Sequence, residues 1–134
     1  LPHLKRWREG DENEQQFGDE LRAAYGDAVM DKANEKYVAM GEAAHLQADE
    51  LELAIKEQLR RAVESGDTEG PKARKLVAMH RHWLCMYWPD DMYAPEAHKA
   101  LADGYITDER FHAYYEEVAP GATQFLHDVI HACA

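Results

Sequence analysis

The sequence is short of cysteine, of serine and of long apolar runs, and each shortage removes a class of protein. Cys85 and Cys133 are the only cysteines among 134 residues, too few for a disulfide framework or a zinc site. Ser65 is the only serine and lies at a predicted helix end, so a serine nucleophile is not expected. No apolar run approaches the roughly 18 residues that a bilayer-spanning helix needs. We therefore expect a protein of the reducing cytoplasm that has no contact with membranes.

Basic residues are also scarce and scattered. Fifteen Lys and Arg side chains oppose 26 Asp and Glu side chains, which gives a net charge of −11. After Leu76 the only basic side chains are Arg81, Lys99 and Arg110, against nine acidic ones. Surfaces that bind nucleic acid need clustered positive charge to neutralise phosphates, so we expect no direct contact of this segment with DNA or RNA.

Helix-forming residues dominate, and no segment shows the sustained alternation that is typical of a half-buried strand. The pattern predicts a single all-α domain whose helices include residues 28–40, 42–65, 72–88 and 107–118. In the second of these helices, Leu46 and Leu53 lie opposite the main apolar face. We therefore expect the N-terminal helices to cover these two side chains.

The first 41 residues look looser than the rest, because they contain four glycines and few apolar anchors. One interpretation is a folded helical pair. The other, which we adopt as the prediction, divides the chain into two parts. Residues 1–41 would form a mobile N-terminal helical flap that orders when a ligand supplies apolar surface, and residues 42–134 would form the helical ligand-binding core.

Residues 72–88 form the most informative predicted helix. Its apolar side chains cover an arc of about 200° at the helical period, and His80 falls in the middle of this arc. Rigid rings and adaptable Met side chains suit a pocket for large, variable ligands, although such a stripe more often packs in a core. A second aromatic group on residues 107–118 favours the pocket. The predicted ligand-binding residues are Met79, His80, Trp83, Tyr87, Trp88, Tyr105, Phe111 and Tyr115.

Signals for catalysis or metal binding are weak. The chain has neither a Gly-x-Ser-x-Gly elbow nor a Gly-rich phosphate loop. His127 and His131 share a helix face and could hold one ion, but the zincin pattern needs Glu directly after the first His, where this chain has Asp128. We expect these histidines on a polar surface, and we expect no metal, no cofactor and no enzymatic activity.

A series of short motifs runs through the second half of the chain. They are His80-Arg81 before a run of aromatics, Glu96-x-His98-x-x-Leu101-x-x-x-Tyr105, Thr107-Asp108-Glu109-Arg110-Phe111, Ala119-Pro120-Gly121 and Leu126-His127-Asp128-Val129-Ile130. As a series, the chain from about residue 25 to residue 131 resembles the TipAS-type antibiotic-recognition domain of MerR-family transcription regulators.

The resemblance implies a globin-like all-α fold without haem, a deep cleft for thiopeptide-type or other bulky antibiotics, and N-terminal helices that are disordered without ligand. It also implies DNA contact only through a winged-helix domain that precedes this segment in full-length relatives. The isolated domain would then be a monomer and the full-length regulator a dimer. The family's founding member has cysteines on both sides of the Glu-x-His motif, where this chain has Tyr93 and Ala100. Covalent capture of a ligand is therefore not expected.

Together these observations predict a non-catalytic, antibiotic-sensing domain of a MerR-type transcription activator. It would bind a bulky hydrophobic, thiopeptide-like compound in an aromatic cleft. The alternative is a helical protein-interaction module without a small-molecule ligand, whose aromatic groove takes a partner's helix.

Overall fold

The computed structural model describes residues 22, 23 and 25–134, and their regular secondary structure is entirely helical. The helices are α1 (Asp27–Ala39), α2 (Glu42–Ser65), α3 (Pro71–Tyr87), α4 (Pro95–Thr107), α5 (Glu109–Glu116) and α6 (Ala122–Cys133). No strand occurs among the described residues, so the prediction of an all-α fold is confirmed. None of their helices is long and apolar enough to cross a bilayer.

The helix ends follow from proline and glycine. α3 and α4 begin at Pro71 and Pro95, where the missing N–H costs nothing because the first turn has no intrahelical acceptor for it. α2 ends at Ser65, and the capping residue that follows, Gly66, has a φ of 69° in the left-handed region that a side chain disfavours. The predicted helix 42–65 has the observed bounds, and the other three predicted helices agree within two residues at each end.

The core forms where α6 packs against α2, α3, α4 and α5. The buried face of α6 carries Leu126, Val129 and Ile130, all with 0% exposure. Burial of one such side chain stabilises a fold by about 1.5–3 kcal/mol relative to its exposure. Because α3 also packs extensively along α2, its apolar arc is enclosed on several sides, and this fixes the position of the rings that it carries.

Among the described residues, nothing covers the outer face of α2. Leu46 and Leu53 are 56% and 66% exposed, so α1 does not cover them, and any cover by residues 1–21 lies outside the described residues. The reason is the direction in which α1 docks: it packs against α3, not along the outer face of α2. Residues 1–21 and 24 of the predicted N-terminal flap lie outside the described residues.

A lysine holds α1 against the end of α3. The Lys36 ammonium donates to the backbone oxygens of Cys85, at 2.9 Å, and Trp88, at 2.7 Å, and contacts the Asp90 carboxylate at 3.2 Å. The last carbonyls of a helix have no intrahelical partner and carry the negative end of the helix dipole. A cation is the favoured partner there, so Lys36 links α1 to the C-terminal end of α3.

A carboxylate holds the start of α6 in a similar way. Glu116, the last residue of α5, accepts hydrogen bonds from the Gly121 N–H at 2.7 Å and from the Thr123 N–H at 3.0 Å. The Thr123 hydroxyl lies 2.7 Å from the same carboxylate and 3.1 Å from the His112 carbonyl. Since the first N–H groups of a helix lack intrahelical acceptors, Glu116 caps α6 from the preceding helix and fixes the turn between the two.

Replacement of the Lys36 ammonium should loosen α1. We expect Lys36→Met, which keeps the apolar stem, to raise amide hydrogen exchange in residues 27–39 about tenfold, because the loss of charge-assisted hydrogen bonds favours local opening. Hydrogen-exchange mass spectrometry measures this. Lys32→Met, at an exposed position of the same helix, is the matched control. Equal exchange in both variants would show that other contacts hold α1.

Removal of the Glu116 carboxylate should destabilise the whole domain. Glu116→Ala deletes the acceptor of three hydrogen bonds at a helix start, and we expect the free energy of unfolding to fall by about 1–2 kcal/mol. Urea unfolding followed by circular dichroism measures the change. Glu117→Ala, at the exposed neighbouring position, serves as the control. A loss of stability of the same size in both variants would contradict the capping role.

Candidate functional site

The aromatic side chains that the sequence singled out meet in one connected cluster. His80 on α3 lies 5.9 Å, between ring centroids, from Trp83 and 5.9 Å from Tyr105 of α4. Tyr105 in turn contacts Tyr115 at 4.8 Å and Phe111 at 5.5 Å, both on α5. The packing of three helices therefore brings together rings that are up to 35 residues apart in sequence.

The remaining predicted site residues lie at the edges of this cluster. Tyr87 contacts Trp83 with ring centroids 6.1 Å apart, and Trp88 lies 6.1 Å from Tyr93. Met79 packs against the core and is half-buried. Most of the rings are deeply buried, since Trp83 and Tyr87 are each 3% exposed, whereas Met79 and Phe111 reach the surface in part.

A chain of hydrogen bonds runs through the buried part of the cluster. Nδ1 of His80 lies 2.8 Å from Nε2 of His98, and the two ring planes are within 6° of each other. At one end the Tyr93 hydroxyl lies 2.9 Å from Nδ1 of His98. At the other end the Tyr105 hydroxyl lies 3.3 Å from Nε2 of His80. Both imidazoles thus have a partner at each nitrogen, although both side chains are 0% exposed.

This chain of hydrogen bonds requires neutral imidazoles. In the N–H···N contact one ring donates and the other accepts, so each histidine carries one proton and the hydrogen bonds all run in one direction. Burial, helped by the nearby positive charge of Arg81, lowers the pKa of His98 to about 4. Burial likewise raises the pKa of the Tyr105 hydroxyl. The interior therefore offers neutral donors and acceptors among rings, with no fixed charge.

Two residues of this hydrogen-bonded series were absent from the predicted site. His98 and Tyr93 belong to it as fully as His80 and Tyr105 do, but sequence reasoning used them only as landmarks of the family pattern. The Glu96-x-His98 motif was the available signal. Helical periodicity places His98 on the inner face of α4, yet it does not show that His98 meets a histidine 18 residues earlier in the chain.

A separate groove lies on the other side of α3. Its volume is about 480 Å³, and its lining includes Ala78, Arg81 and Cys85 of α3 together with Tyr93 and Cys133. The Arg81 guanidinium lies 4.8 Å from the centroid of the Tyr93 ring. None of the eight predicted ligand-binding residues lines this groove. Tyr93 contributes to both the groove and the buried chain.

The six helices of the described residues enclose an interior of rings and histidines, and together they form a small all-α domain. The TipAS antibiotic-recognition domain is the family whose model matches, over residues 17–133, and the chain belongs to this family. Antibiotic recognition is a ligand-binding role, so the prediction of a ligand-binding domain is confirmed at the level of the family. No curated protein and no solved structure matches this chain.

The lowered pKa of His98 predicts a loss of stability in mild acid. Above pH 6.5 His98 is neutral in both states, while between pH 6.5 and about 4 a proton binds only to the unfolded chain. Stability is thus full above pH 6.5 and declines as the pH falls. We expect the wild type to lose about 2 kcal/mol more than His98→Gln between pH 7 and 4.5.

Urea unfolding at a series of pH values measures this difference in slope, which is independent of any constant loss of stability in the variant. His112→Gln, which removes an exposed imidazole on α5, is the matched control. If His98→Gln and His112→Gln follow the same pH dependence, the His98 interpretation is wrong.

Proposed function

We propose that this domain binds a bulky, hydrophobic, thiopeptide-like antibiotic against the aromatic cluster of α3, α4 and α5. The observation that carries the proposal is the continuity of the cluster, which joins rings of three helices around the His80–His98 pair. Offset and edge-to-face rings supply large contact area at a low cost in conformational entropy. The predicted contacts are the eight residues from Met79 to Tyr115 given above, with His98 and Tyr93 added.

The edges of the cluster favour a ligand that enters beside α3. Met79 and Phe111 are half-buried, so a bound molecule reaches them without unfolding of the core. The indole N–H of Trp88 is buried and has no hydrogen-bond acceptor among the described residues. An unsatisfied buried donor costs about 1–3 kcal/mol, and a ligand carbonyl placed beside it would remove this cost.

The N-terminal segment is suited to the role of a flap. Among the residues of α1, only Met30 and Ala33 are buried, so apolar contact anchors this helix weakly and the Lys36 hydrogen bonds carry much of its attachment. Burial is the main cause of the raised pKa of the Tyr105 hydroxyl, and the charge of Tyr25 adds to the rise. We infer that residues 1–41 close over the aromatic cluster and that residues 42–134 form the core that receives the ligand.

The same proposal extends to the regulator in which this domain would act. We infer that it senses the drug for a MerR-type transcription activator in the cytoplasm, and that a winged-helix domain outside this segment contacts DNA. A segment with a net charge of −11 repels phosphates and favours neutral or cationic ligands. The isolated domain would be a monomer, and dimerisation would belong to the full-length regulator.

Ligand binding should depend more on Phe111 than on Phe125, which is buried to a similar degree outside the cluster. We expect Phe111→Ala to weaken the binding of a responsive antibiotic at least tenfold, because it deletes a ring that borders Tyr105. The ligand is first found by thermal-shift screening against thiopeptide and other bulky antibiotics, and its affinity is then measured by isothermal titration calorimetry.

Phe125→Ala is the matched control, since Phe125 on α6 is also half-buried but has no ring contact with the cluster. Equal loss of affinity in both variants would contradict the assigned site. If no compound in the panel shifts the melting temperature of the wild type, the alternative, a protein-interaction module, is favoured.

A further inference from the structure

α4 and α6 bring three metal-ligating side chains together on a partly exposed edge of the domain. Asp103 Oδ1 of α4 lies 2.9 Å from His127 Nε2 and 2.8 Å from His131 Nε2, both of α6. Their ligand atoms all lie within 4.8 Å of one another. We propose that Asp103, His127 and His131 bind one divalent transition-metal ion of the zinc type. This site goes beyond the proposed antibiotic binding and does not depend on it. It departs from the expectation of no metal, because the sequence alone did not place Asp103 beside the two histidines.

The separations between these atoms fit a shared ion. A metal with bonds of about 2.0–2.1 Å to nitrogen and oxygen separates neighbouring ligand atoms by about 2.9 Å in octahedral and about 3.4 Å in tetrahedral geometry. The two observed nitrogen–oxygen distances lie at the short end of this range, and all three ligand atoms lie within 4.8 Å of one another, so an ion fits after side-chain rotations that adjust these separations. His127 and His131 are four residues apart on one helix, and their ring centroids are 4.3 Å apart.

A second set of contacts orients His127 as a ligand. Its Nδ1 lies 2.9 Å from Oδ1 of Asp128, and this carboxylate also accepts a hydrogen bond of 2.9 Å from the side chain of Gln124. When the Nδ1–H donates to Asp128, the lone pair of Nε2 points towards Asp103. Metal-binding histidines are characteristically held by such a carboxylate, which fixes the tautomer and makes the ligand more basic.

The same arrangement explains why a cation belongs at this position. His127 has a carboxylate at each ring nitrogen, and Asp103 faces two imidazoles through one oxygen. With Nδ1–H given to Asp128, the Nε2 lone pair and the Asp103 oxygen face each other, and either a proton or a metal ion between them stabilises the contact. A metal ion supplies positive charge and bonds to all three ligand atoms at once.

The ligand set selects the class of metal. Two imidazole nitrogens and one carboxylate oxygen suit Zn²⁺, Co²⁺, Ni²⁺ or Cu²⁺, whereas Ca²⁺ and Mg²⁺ require a shell of oxygen atoms. The side chains of His127, His131 and Asp103 are 20%, 37% and 59% exposed. An ion therefore enters without unfolding of the domain, keeps coordination positions for water, and links α4 to α6.

Isothermal titration calorimetry with Zn²⁺, on chain freed of metal with a chelator and of any affinity tag, tests the proposal. We expect one equivalent to bind. Asp103→Asn and His131→Asn should each weaken binding at least tenfold, and Asp128→Asn, which keeps all three ligands, about tenfold. His112→Asn is the matched control and should bind as the wild type does. Circular dichroism confirms that the variants remain helical.

A measurement on the wild-type histidine rings tests the proposal even if one of the variants fails to fold. In nitrogen-15 NMR of the wild type, Zn²⁺ should shift the Nε2 signals of His127 and His131 and leave that of His112 in place. Absence of binding at 1 mM Zn²⁺, or unchanged affinity in His131→Asn, would overturn the proposal and leave the cluster as a hydrogen-bonded surface pair.

Discussion

The hydrogen bond between His80 and His98 is the constraint on which the interior of this domain depends. Two imidazoles with 0% exposure are tolerable only when every ring nitrogen has a partner, since a buried unpaired polar group costs about 1–3 kcal/mol. Tyr93 and Tyr105 supply the outer partners. The requirement ties α3 to α4 at His80 and His98, and the neighbouring rings pack against these two imidazoles.

Recognition would accordingly use the interior of the domain itself. The rings assigned to ligand contact are largely the same residues that fill the core, which is unlike a cleft carved into the surface of a separate scaffold. Under the proposed function, the helix that would release to admit the ligand is α1, which is weakly anchored. α1 buries little apolar surface and depends on the Lys36 hydrogen bonds to two backbone oxygens of the α3 terminus, so its release costs far less than the opening of the core.

Polar contacts between helix termini and side chains do much of the remaining positioning. Lys36 satisfies carbonyls at the end of α3, and Glu116 satisfies N–H groups at the start of α6. Each contact uses a charged side chain from one helix to complete the unsatisfied end of another. The same logic extends to the Asp103, His127 and His131 cluster, where one carboxylate of α4 meets two imidazoles of α6.

The sequence by itself determined the helices and their buried faces, because proline, glycine and the 3.6-residue period act locally. It therefore placed α2 within its observed bounds and put His80 at the centre of the apolar arc of α3. Tertiary structure alone decided which faces meet. His98 joins His80 across 18 residues, Asp103 joins His127 across 24, and α1 docks on α3 while Leu46 and Leu53 stay exposed. Helical periodicity gives the direction of a side chain around its own axis and carries no information about its partner on another helix.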